Sequence, residues 1–385
     1  MQYTEYELGE LLPFEQPTAY IVKSTDYSDA YATPVLTAGK SFILGKTNET
    51  DGVFDQLPVI IFDDFTTATQ FVNFRFKVKS SAMKILHINT DLVIPKYIFY
   101  RLQIIQFDHS THKRYWIQSY SKIKVLIPPL DEQFRIVARI EELFSELDKA
   151  VDTLKTTKEQ LAVYRQAVLK DAFDNAQAMC ERFTPIEELL VTDRKGMSTG
   201  PFGTMLKKNE HKTTGVPMLG IENIDSGKFI DGNKIFVTPE KAAELKSFAL
   251  KSGDIIISRS GTVGELCVVP PRMEGALLST NLMRVSLDCQ KVLPEYFIYL
   301  FQSKGIVLDQ VKELCKGSTR IFLNQTILKQ IQFPIPNVHE QLQIINTIES
   351  RLTFCDNIEK TVDTALAQAD AMRQSILKQS FEGKI

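Results

Sequence analysis

The sequence predicts an α+β chain with two homologous mixed α/β domains, separated by two long antiparallel coiled-coil helices and related by an internal pseudo-two-fold repeat. Three observations carry that expectation. The first is a gapless self-match: shifted by 208 positions, Ile127-Pro128 falls on Ile335-Pro336, Glu132-Gln133 on Glu340-Gln341, Ile140-Glu141 on Ile348-Glu349, Arg165-Gln166 on Arg373-Gln374 and Phe173 on Phe381. The second is a looser match upstream, whose offset grows along the chain. Glu10-Leu11-Leu12 fits Glu188-Leu189-Leu190, Pro34-x-Leu36 fits Pro217-x-Leu219, and Ile60-Ile61 fits Ile256-Ile257. Met83-Lys84-Ile85 fits Met283-Arg284-Val285, and Pro95-x-Tyr97 fits Pro294-x-Tyr296. Two globular units with different loop lengths produce such a drift, and the constant stretch is a spacer. The third is a 3.5-residue apolar rhythm within the constant stretch.

In chain order, residues 1–127 form the first globular unit, 128–178 the first spacer helix, 179–335 the second unit and 336–385 the second spacer helix. The first unit reads as short buried strands such as Pro58-Val-Ile-Ile61, with an amphipathic helix opening at Pro95. Asp254-Ile-Ile-Ile257 and Leu282–Leu287 are the corresponding strands of the second, and Pro294 opens its helix. The seam of the first spacer runs through Ile136, Ile140, Leu143, Leu147, Ala150, Leu154, Thr157, Leu161, Tyr164 and Val168. Its copy runs through Ile344, Ile348, Arg351, Cys355, Ile358, Val362, Ala365, Ala369, Met372 and Ile376. Pro128 and Pro336 end the preceding strands, and each helix should reach ~65 Å. An ordinary amphipathic helix packed on its own domain is the alternative reading of that rhythm.

Composition narrows the function classes. At 385 residues, 44% hydrophobic and 24% charged, the chain is an ordinary globular one with two or three domains. Lys+Arg 45 against Asp+Glu 47 leaves −2, so any grip on nucleic acid comes from local patches. Five cysteines without a CxxC pair fit free thiols in a reducing cytosol. No secretory signal or apolar run of membrane-spanning length is present, which points to a cytoplasmic protein.

Enzyme motifs are missing. Gly-x4-Gly-Lys-Ser/Thr does not occur; Ala38-Gly39-Lys40-Ser41 has the lysine but lacks the first glycine. Ser260-Gly261-Thr262-Val263-Gly264 leads into β-rich sequence, so it is a weak dinucleotide turn. No Asn-Pro-Pro-Phe/Tyr tetrapeptide or AdoMet-binding glycine motif occurs, and the His109-x-x-His112 pair has no third metal ligand at suitable spacing. The chain reads as non-catalytic and without a bound metal or cofactor.

Polar recognition chemistry remains, at matching places of both units. The second carries Ser258-Arg259-Ser260, then Thr280-Asn281, then Ser318-Thr319-Arg320, with Lys207-Lys208 and Asn223 upstream. At the corresponding places the first carries Thr66-Thr67 after Phe62-Asp63-Asp64-Phe65, then Ser80-Ser81, then Ser110, Lys113 and Arg114, with Lys40 upstream. Lys and Arg neutralise phosphates, while Arg, Asn, Ser and Thr can read base edges. Each cluster alone is a solvated loop as readily as a contact surface. Recurrence at equivalent places with different residues points to variable readout on a common frame.

With these residues in hand, the sequence resembles the DNA-specificity subunit of type I restriction–modification enzymes. The resemblance rests on Gly253-Asp-Ile-Ile-Ile-Ser-Arg-Ser-Gly-Thr-Val-Gly264, Leu293-Pro-x-Tyr296, Gly317-Ser-Thr319 and Ile335-Pro-x-x-x-Glu340-Gln341. The helix endings Arg165–Phe173 and Arg373–Lys384 complete it, and it covers nearly the whole chain. It implies two target-recognition domains, each reading one half of a bipartite, asymmetric site in double-stranded DNA. Two methyltransferase subunits would clasp the chain and carry AdoMet; a motor/nuclease subunit, where present, would use ATP and Mg. The helices would act as a ruler between half-sites. The first unit departs from the motif at Asp63-Asp64. Two other classes stay open: a coiled-coil scaffold whose heads bind protein, and a nucleotide-binding enzyme using Ser260–Gly264.

Overall fold

In the computed structural model, the described residues are 3–37, 41–108, 114–180, 182–202, 205–259, 263–303, 305–315 and 322–384. The chain divides into two units. One comprises Met1–Lys155 with Asp363–Ile385, the other Thr156–Val362, so each takes part of both long helices.

In the first unit, β1 (Thr4–Glu7) pairs antiparallel with β9 (Lys124–Ile127), closing the unit beside the start of its long helix. Short α1 (Leu8–Leu11) follows β1 and buries Leu8 and Leu11. The main sheet is antiparallel: β2 (Phe14–Glu15), β8 (Met83–His87), β5 (Val59–Asp63) and β6 (Thr69–Val72), in that order. Val59–Phe62 are all buried, as a continuous β-branched and aromatic run at a sheet centre should be. A second sheet sets β3 (Thr33–Leu36) between antiparallel β4 (Ile43–Thr47) and parallel β7 (Lys77–Val78). Helix α2 (Pro95–Leu102) starts with proline at its first position, where the missing N–H costs nothing, and buries Tyr97, Ile98 and Leu102. Short α3 (Tyr115–Gln118) sinks Tyr115 and Trp116 into the same core.

The second unit repeats this plan. β10 (Thr184–Pro185) pairs with β20 (Gln332–Phe333), and short α5 (Ile186–Leu189) follows β10. The main sheet orders β11 (Met197–Thr199), β19 (Leu282–Val285), β16 (Ile255–Ser258) and β17 (Leu266–Val268). β12 (Val216–Leu219) lies between antiparallel β15 (Ile235–Val237) and parallel β18 (Leu277–Leu278). A hairpin, β13 (Ile224–Asp225) with β14 (Lys228–Phe229), joins α6 (Pro239–Glu244) and α8 (Ile306–Leu314) as additions, while α9 (Gln325–Gln330) stands at the place of α3 and the turn after it. Helix α7 (Pro294–Gln302) matches α2, down to the proline at its start.

The sheets correct the repeat alignment by one residue. Phe62 pairs with Lys84, and Ile257 with Met283. Ile60, Phe62 and Leu86 join the core that holds Tyr97, while Ile255, Ile257 and Val285 join the one that holds Tyr296. Phe62 therefore corresponds to Ile257 and Lys84 to Met283. The letter matches Ile61/Ile257 and Lys84/Arg284 join residues on opposite faces. A one-residue slip inverts every side chain of a strand, so burial is the better guide.

The long helices are α4 (Leu130–Met179) and α10 (Val338–Phe381). Within each unit they run antiparallel. In the first, Arg373 pairs with Asp148 and Leu377 joins the core of Ile136, Ile140 and Phe144. In the second, Arg165 Nη2 lies 2.7 Å from Asp356 Oδ1, and Asp171 meets Arg351 at 3.2 Å. The two Arg–Asp pairs are images of one another in the repeat.

The expected seam holds through Ile136, Ile140, Leu161, Val168, Ile348, Cys355, Val362 and Ala369, which are buried, and Leu147, Leu154, Thr157, Ile344, Ile358, Ala365 and Ile376, which are half-buried. It slips by one residue at the other positions. Phe144 is buried beside half-buried Leu143, Val151 replaces exposed Ala150, and Leu352 replaces Arg351. Exposed Tyr164 and Met372 give way to Arg165 and Arg373. A helix of 3.6 residues per turn drifts ~20° per heptad against a strict 3.5 rhythm, which moves the buried stripe to the next residue.

One glutamine locks each helix start to its unit. Gln133 accepts from Ile94 N (2.8 Å) and donates to Leu92 O (3.0 Å) and Pro128 O (2.9 Å). Gln341 accepts from Leu293 N (2.8 Å) and donates to Lys291 O (2.9 Å) and Pro336 O (2.8 Å). The helix ends are matched too: Phe381 meets Tyr97 edge-on at 5.3 Å, and Phe173 meets Tyr296 at 5.4 Å.

Candidate nucleic-acid interface

In the second unit, chain leaves the fully buried strand β16 at Arg259, and three other segments converge there. Arg259 N donates to Asn281 O (3.0 Å), and its carbonyl accepts from Leu323 N (3.1 Å). The guanidinium repeats both links, with Nη1 donating to Thr280 O (3.1 Å) and Nε to Leu323 O (3.3 Å). It also lies over the Phe202 ring at 5.3 Å, and Thr280 Oγ1 donates to Pro201 O (2.7 Å). Partial burial lowers the Arg259 pKa from its ordinary value, though a guanidinium stays charged regardless. Arg259 thus staples the turn before β19 to the segments at 201–202 and 323, and its remaining N–H groups can serve a ligand.

Asp64 occupies the same place in the first unit. Its N–H donates to Ala82 O (3.3 Å), and its carbonyl accepts from Tyr115 N (2.9 Å). Oδ1 accepts from Trp116 N (2.9 Å), and Oδ2 lies 3.2 Å from Lys84 Nζ, with both side chains buried. The backbone pattern is that of Arg259, but the charge is reversed and turned inward. Around it stand three sets of expected recognition residues. Thr66 and Thr67 form the turn after β5, where Asp63 Oδ1 accepts from Phe65 N (2.8 Å) and Thr66 N (3.1 Å). Thr67 adopts φ 57°, a left-handed conformation that is strained for a β-branched residue. Ser80 and Ser81 form the turn before β8, with Ser80 Oγ accepting from Ala82 N (3.4 Å). Exposed Arg114 directly precedes α3.

The structure therefore brings together Arg259, Thr280 and Asn281 in one unit, and Thr66, Thr67, Ser80, Ser81 and Arg114 in the other. Lys207 and Lys208 are exposed on a separate short turn, where Lys207 N donates to Glu210 Oε2 (2.6 Å). Two expected contact residues are spent internally. Asn223 is fully buried, accepting from Gly220 N (2.9 Å) and donating to Ile230 O (2.9 Å), which pins the β13–β14 hairpin. Ser258 is fully buried within β16. Lys40, Ser110, Lys113, Ser260, Ser318, Thr319 and Arg320 lie outside the described residues. Sequence reading missed Asp64 and Lys84 as a buried pair and Phe202 as the shelf for Arg259. The only prior signal for the first was an acidic pair at the place where the other unit has arginine.

Comparison with known proteins agrees with this architecture. Residues 202–368 match the family model described as "Type I restriction modification DNA specificity domain". The specificity subunit of the type I restriction enzyme EcoR124I/EcoR124II of Escherichia coli is 31% identical over 367 residues, 91% of this chain and 87% of that protein. The EcoKI specificity subunit of Escherichia coli K12 is 28% identical over 289 residues, 69% of this chain and 59% of that one. Among solved structures, a chain from a study of complex assembly and conformational transition of the type I R-M system aligns with TM-score 0.69 at 15% identity, covering 100% of this chain and 98% of that one. The HsdS subunit from Thermoanaerobacter tengcongensis aligns with TM-score 0.52 at 16% identity, covering 100% and 97%. With nearly the full length aligned at this identity, and the same doubled fold, the chain belongs to the family of type I restriction–modification DNA-specificity subunits.

Proposed function

We propose that the chain is the non-catalytic, sequence-reading subunit of a type I restriction–modification complex, in which each unit reads one half of a bipartite asymmetric DNA site. The observation that carries this is the shared bracket at Asp64 and Arg259: one frame, two chemistries, at the same place in both units. Two different half-sites need that combination. Phosphate contacts from residues such as Arg114, Lys207 and Lys208 would position the duplex, and Arg259, Thr280 and Asn281 would stand nearest the bases of one half-site. The chain itself would bind no cofactor. AdoMet would sit on two methyltransferase subunits, and ATP with Mg on a motor/nuclease subunit where the system has one. Repeat-related exposed apolar residues on the long helices, Phe134 with Leu342 and Tyr164 with Met372, support docking of a partner present in two copies. Among the described residues no helix is long and apolar enough to cross a membrane.

The test is methylome mapping in the source cell with and without this gene. Loss of adenine methylation at one bipartite sequence supports the reading. An unchanged methylome in a strain whose methyltransferase subunits are expressed and active would overturn it.

A further inference from the structure

In the first unit β5 and β6 pair antiparallel from Val59↔Val72 to Phe62↔Thr69, and β6 is the edge strand of its sheet. The pair therefore ends as a two-stranded ribbon, and hydrogen bonds hold its turn in one shape. Asp63 N donates to Ala68 O (2.8 Å) and Thr67 N to Asp63 O (2.9 Å). Asp63 Oδ1 accepts from Phe65 N and Thr66 N, while the Asp64 carboxylate faces buried Lys84. Both acids beside the apex are thus turned toward the protein. Phe65, at the apex, is 44% exposed and joins neither hydrophobic core of the unit. A single exposed apolar side chain is ordinary on a protein surface. Phe65 differs in that a tightly bonded turn displays it beside Ser80, Ser81 and Arg114. Counting on from Asp64 and Arg259, the other unit has Ser260 at this place in sequence, so the common frame does not require an aromatic there.

We propose that Phe65 is a specificity-determining residue of the first unit, and that its ring takes the C5-methyl group of a thymine in the major groove of one half-site. This rests on the DNA-reading function proposed above. Thymine alone presents an apolar group on its major-groove edge, and phenylalanine is among the side chains that read it by contact. The major groove, about 12 Å wide, admits a two-stranded ribbon, and the minor groove, about 6 Å wide, is too narrow for one. An apolar wedge between base steps is the other use of an exposed phenylalanine on DNA, but it enters from the minor groove. The shape of the ribbon therefore favours the methyl contact. Charge agrees with this. Asp63 and Asp64 are spent on the turn and on Lys84, so the apex approaches the duplex without a free carboxylate at its tip. Exposed Arg114 precedes Tyr115, whose N–H reaches Asp64 O, and this places a phosphate-binding cation beside the same turn.

Uracil substitution tests this, because deoxyuridine lacks the methyl group and keeps the rest of the base. The full chain, assembled with its methyltransferase subunits, is titrated with duplexes carrying the mapped bipartite site. Each thymine of both half-sites is replaced singly by deoxyuridine. With the parent chain, at least one thymine should be sensitive, its replacement weakening binding by roughly three- to ten-fold, the scale of one buried methyl group. Phe65→Ala should weaken binding to the thymine duplex by about ten-fold and bring the thymine and uracil duplexes within about two-fold at that position. Phe65→Leu keeps an apolar group and should retain part of the preference. Uracil sensitivity in the other half-site should be the same in all three proteins. Phe65 lies at the surface, so thermal midpoints should be unchanged, and the uracil scan of the parent chain needs no variant at all. A parent that tolerates uracil at every thymine would overturn the assignment while leaving the bipartite reading intact. So would a thymine preference that persists at every position in Phe65→Ala, whether or not affinity falls. A complex that methylates no bipartite site would overturn both.

Discussion

Replacing Gln341 by methionine should cost the second unit about 3–5 kcal/mol. Methionine keeps the length and volume of the side chain but neither accepts nor donates usefully, so Leu293 N, Lys291 O and Pro336 O lose their partner together. An orphaned buried polar group costs about 1–3 kcal/mol; Pro336 O is buried, whereas the other two are partly reachable by water and stand near the low end. For a unit of this size each kcal/mol moves the melting midpoint by about 2–4 °C, so differential scanning calorimetry should show a drop of roughly 6–20 °C in the transition of that unit. Gln133→Met should produce an equal loss in the first unit, because its bonds are the same three. Gln341→Glu adds a pH signature. A carboxylate there would face two carbonyls in a buried site, so its folded pKa lies above the unfolded value of about 4.3. The variant should be least destabilised below pH ~4 and lose stability as pH rises through the folded pKa. Midpoint changes under about 2 °C for both methionine variants would show that the brackets do not hold the helix starts.

Arg259→Ala should loosen the turn before β19 and impair methylation at one half-site only, by about 1–3 kcal/mol if the freed turn contacts a base. Arg259→Lys should fail to restore it, because one ammonium cannot reproduce the two-pronged link to Thr280 O and Leu323 O. Half-site-resolved methylation kinetics would read both, and equal effects at the two half-sites would contradict the assignment. Lys84→Met leaves the Asp64 carboxylate buried without its cation and should cost about 3–5 kcal/mol, seen in urea unfolding of the first unit. Arg165→Ala removes links to Asp356 and Glu359 on a partly exposed helix face and should cost only about 1 kcal/mol.

Much of the architecture was legible because repetition is a long-range signal. The gapless match from Ile127 to Phe173 located both long helices, and Pro95 and Pro294 located the helix of each unit. Register was not legible. Matching Lys84 to Arg284 follows identity of charge, but Lys84 lies on the helix-side face and Arg284 on the other, where it donates to Ala249 O and Lys195 O. The seam slips at a few positions for a related reason: a heptad template cannot show where a helix drifts off 3.5 residues per turn, so exposed Met372 falls on the template while half-buried Arg373 beside it does not. Asn223 and Ser258 looked like contact residues because composition marks polarity and not burial. Gln133 and Gln341 were aligned correctly without revealing their role, since a bracket is defined by the carbonyls it reaches, more than 40 residues away in two cases.

The pairing of Asp64 with Arg259 explains how a frame can stay constant while its reading surface changes. In both units the bond from the bracket residue's N–H to the turn before the next strand, and the bond to its carbonyl from the segment at 115 or 323, are made by backbone. Backbone bonds do not depend on side-chain identity, so the position can carry an acid or a guanidinium without altering the path of the chain. The side chain then adds a third link suited to its own chemistry: Asp64 receives Trp116 N and draws Lys84 inward, while Arg259 reaches outward to Thr280 O and rests on Phe202. One choice presents hydroxyls at Thr66, Thr67 and Ser80 with Arg114 beside them; the other presents the Arg259 cation with spare donors beside Asn281. Donor-rich and hydroxyl-rich surfaces favour different base edges, so under the proposed reading an exchange of this one residue together with its nearest partner should change what a half-site must offer. The long helices and their glutamine brackets are built the same way in both units, as the proposed docking of one partner in two copies requires.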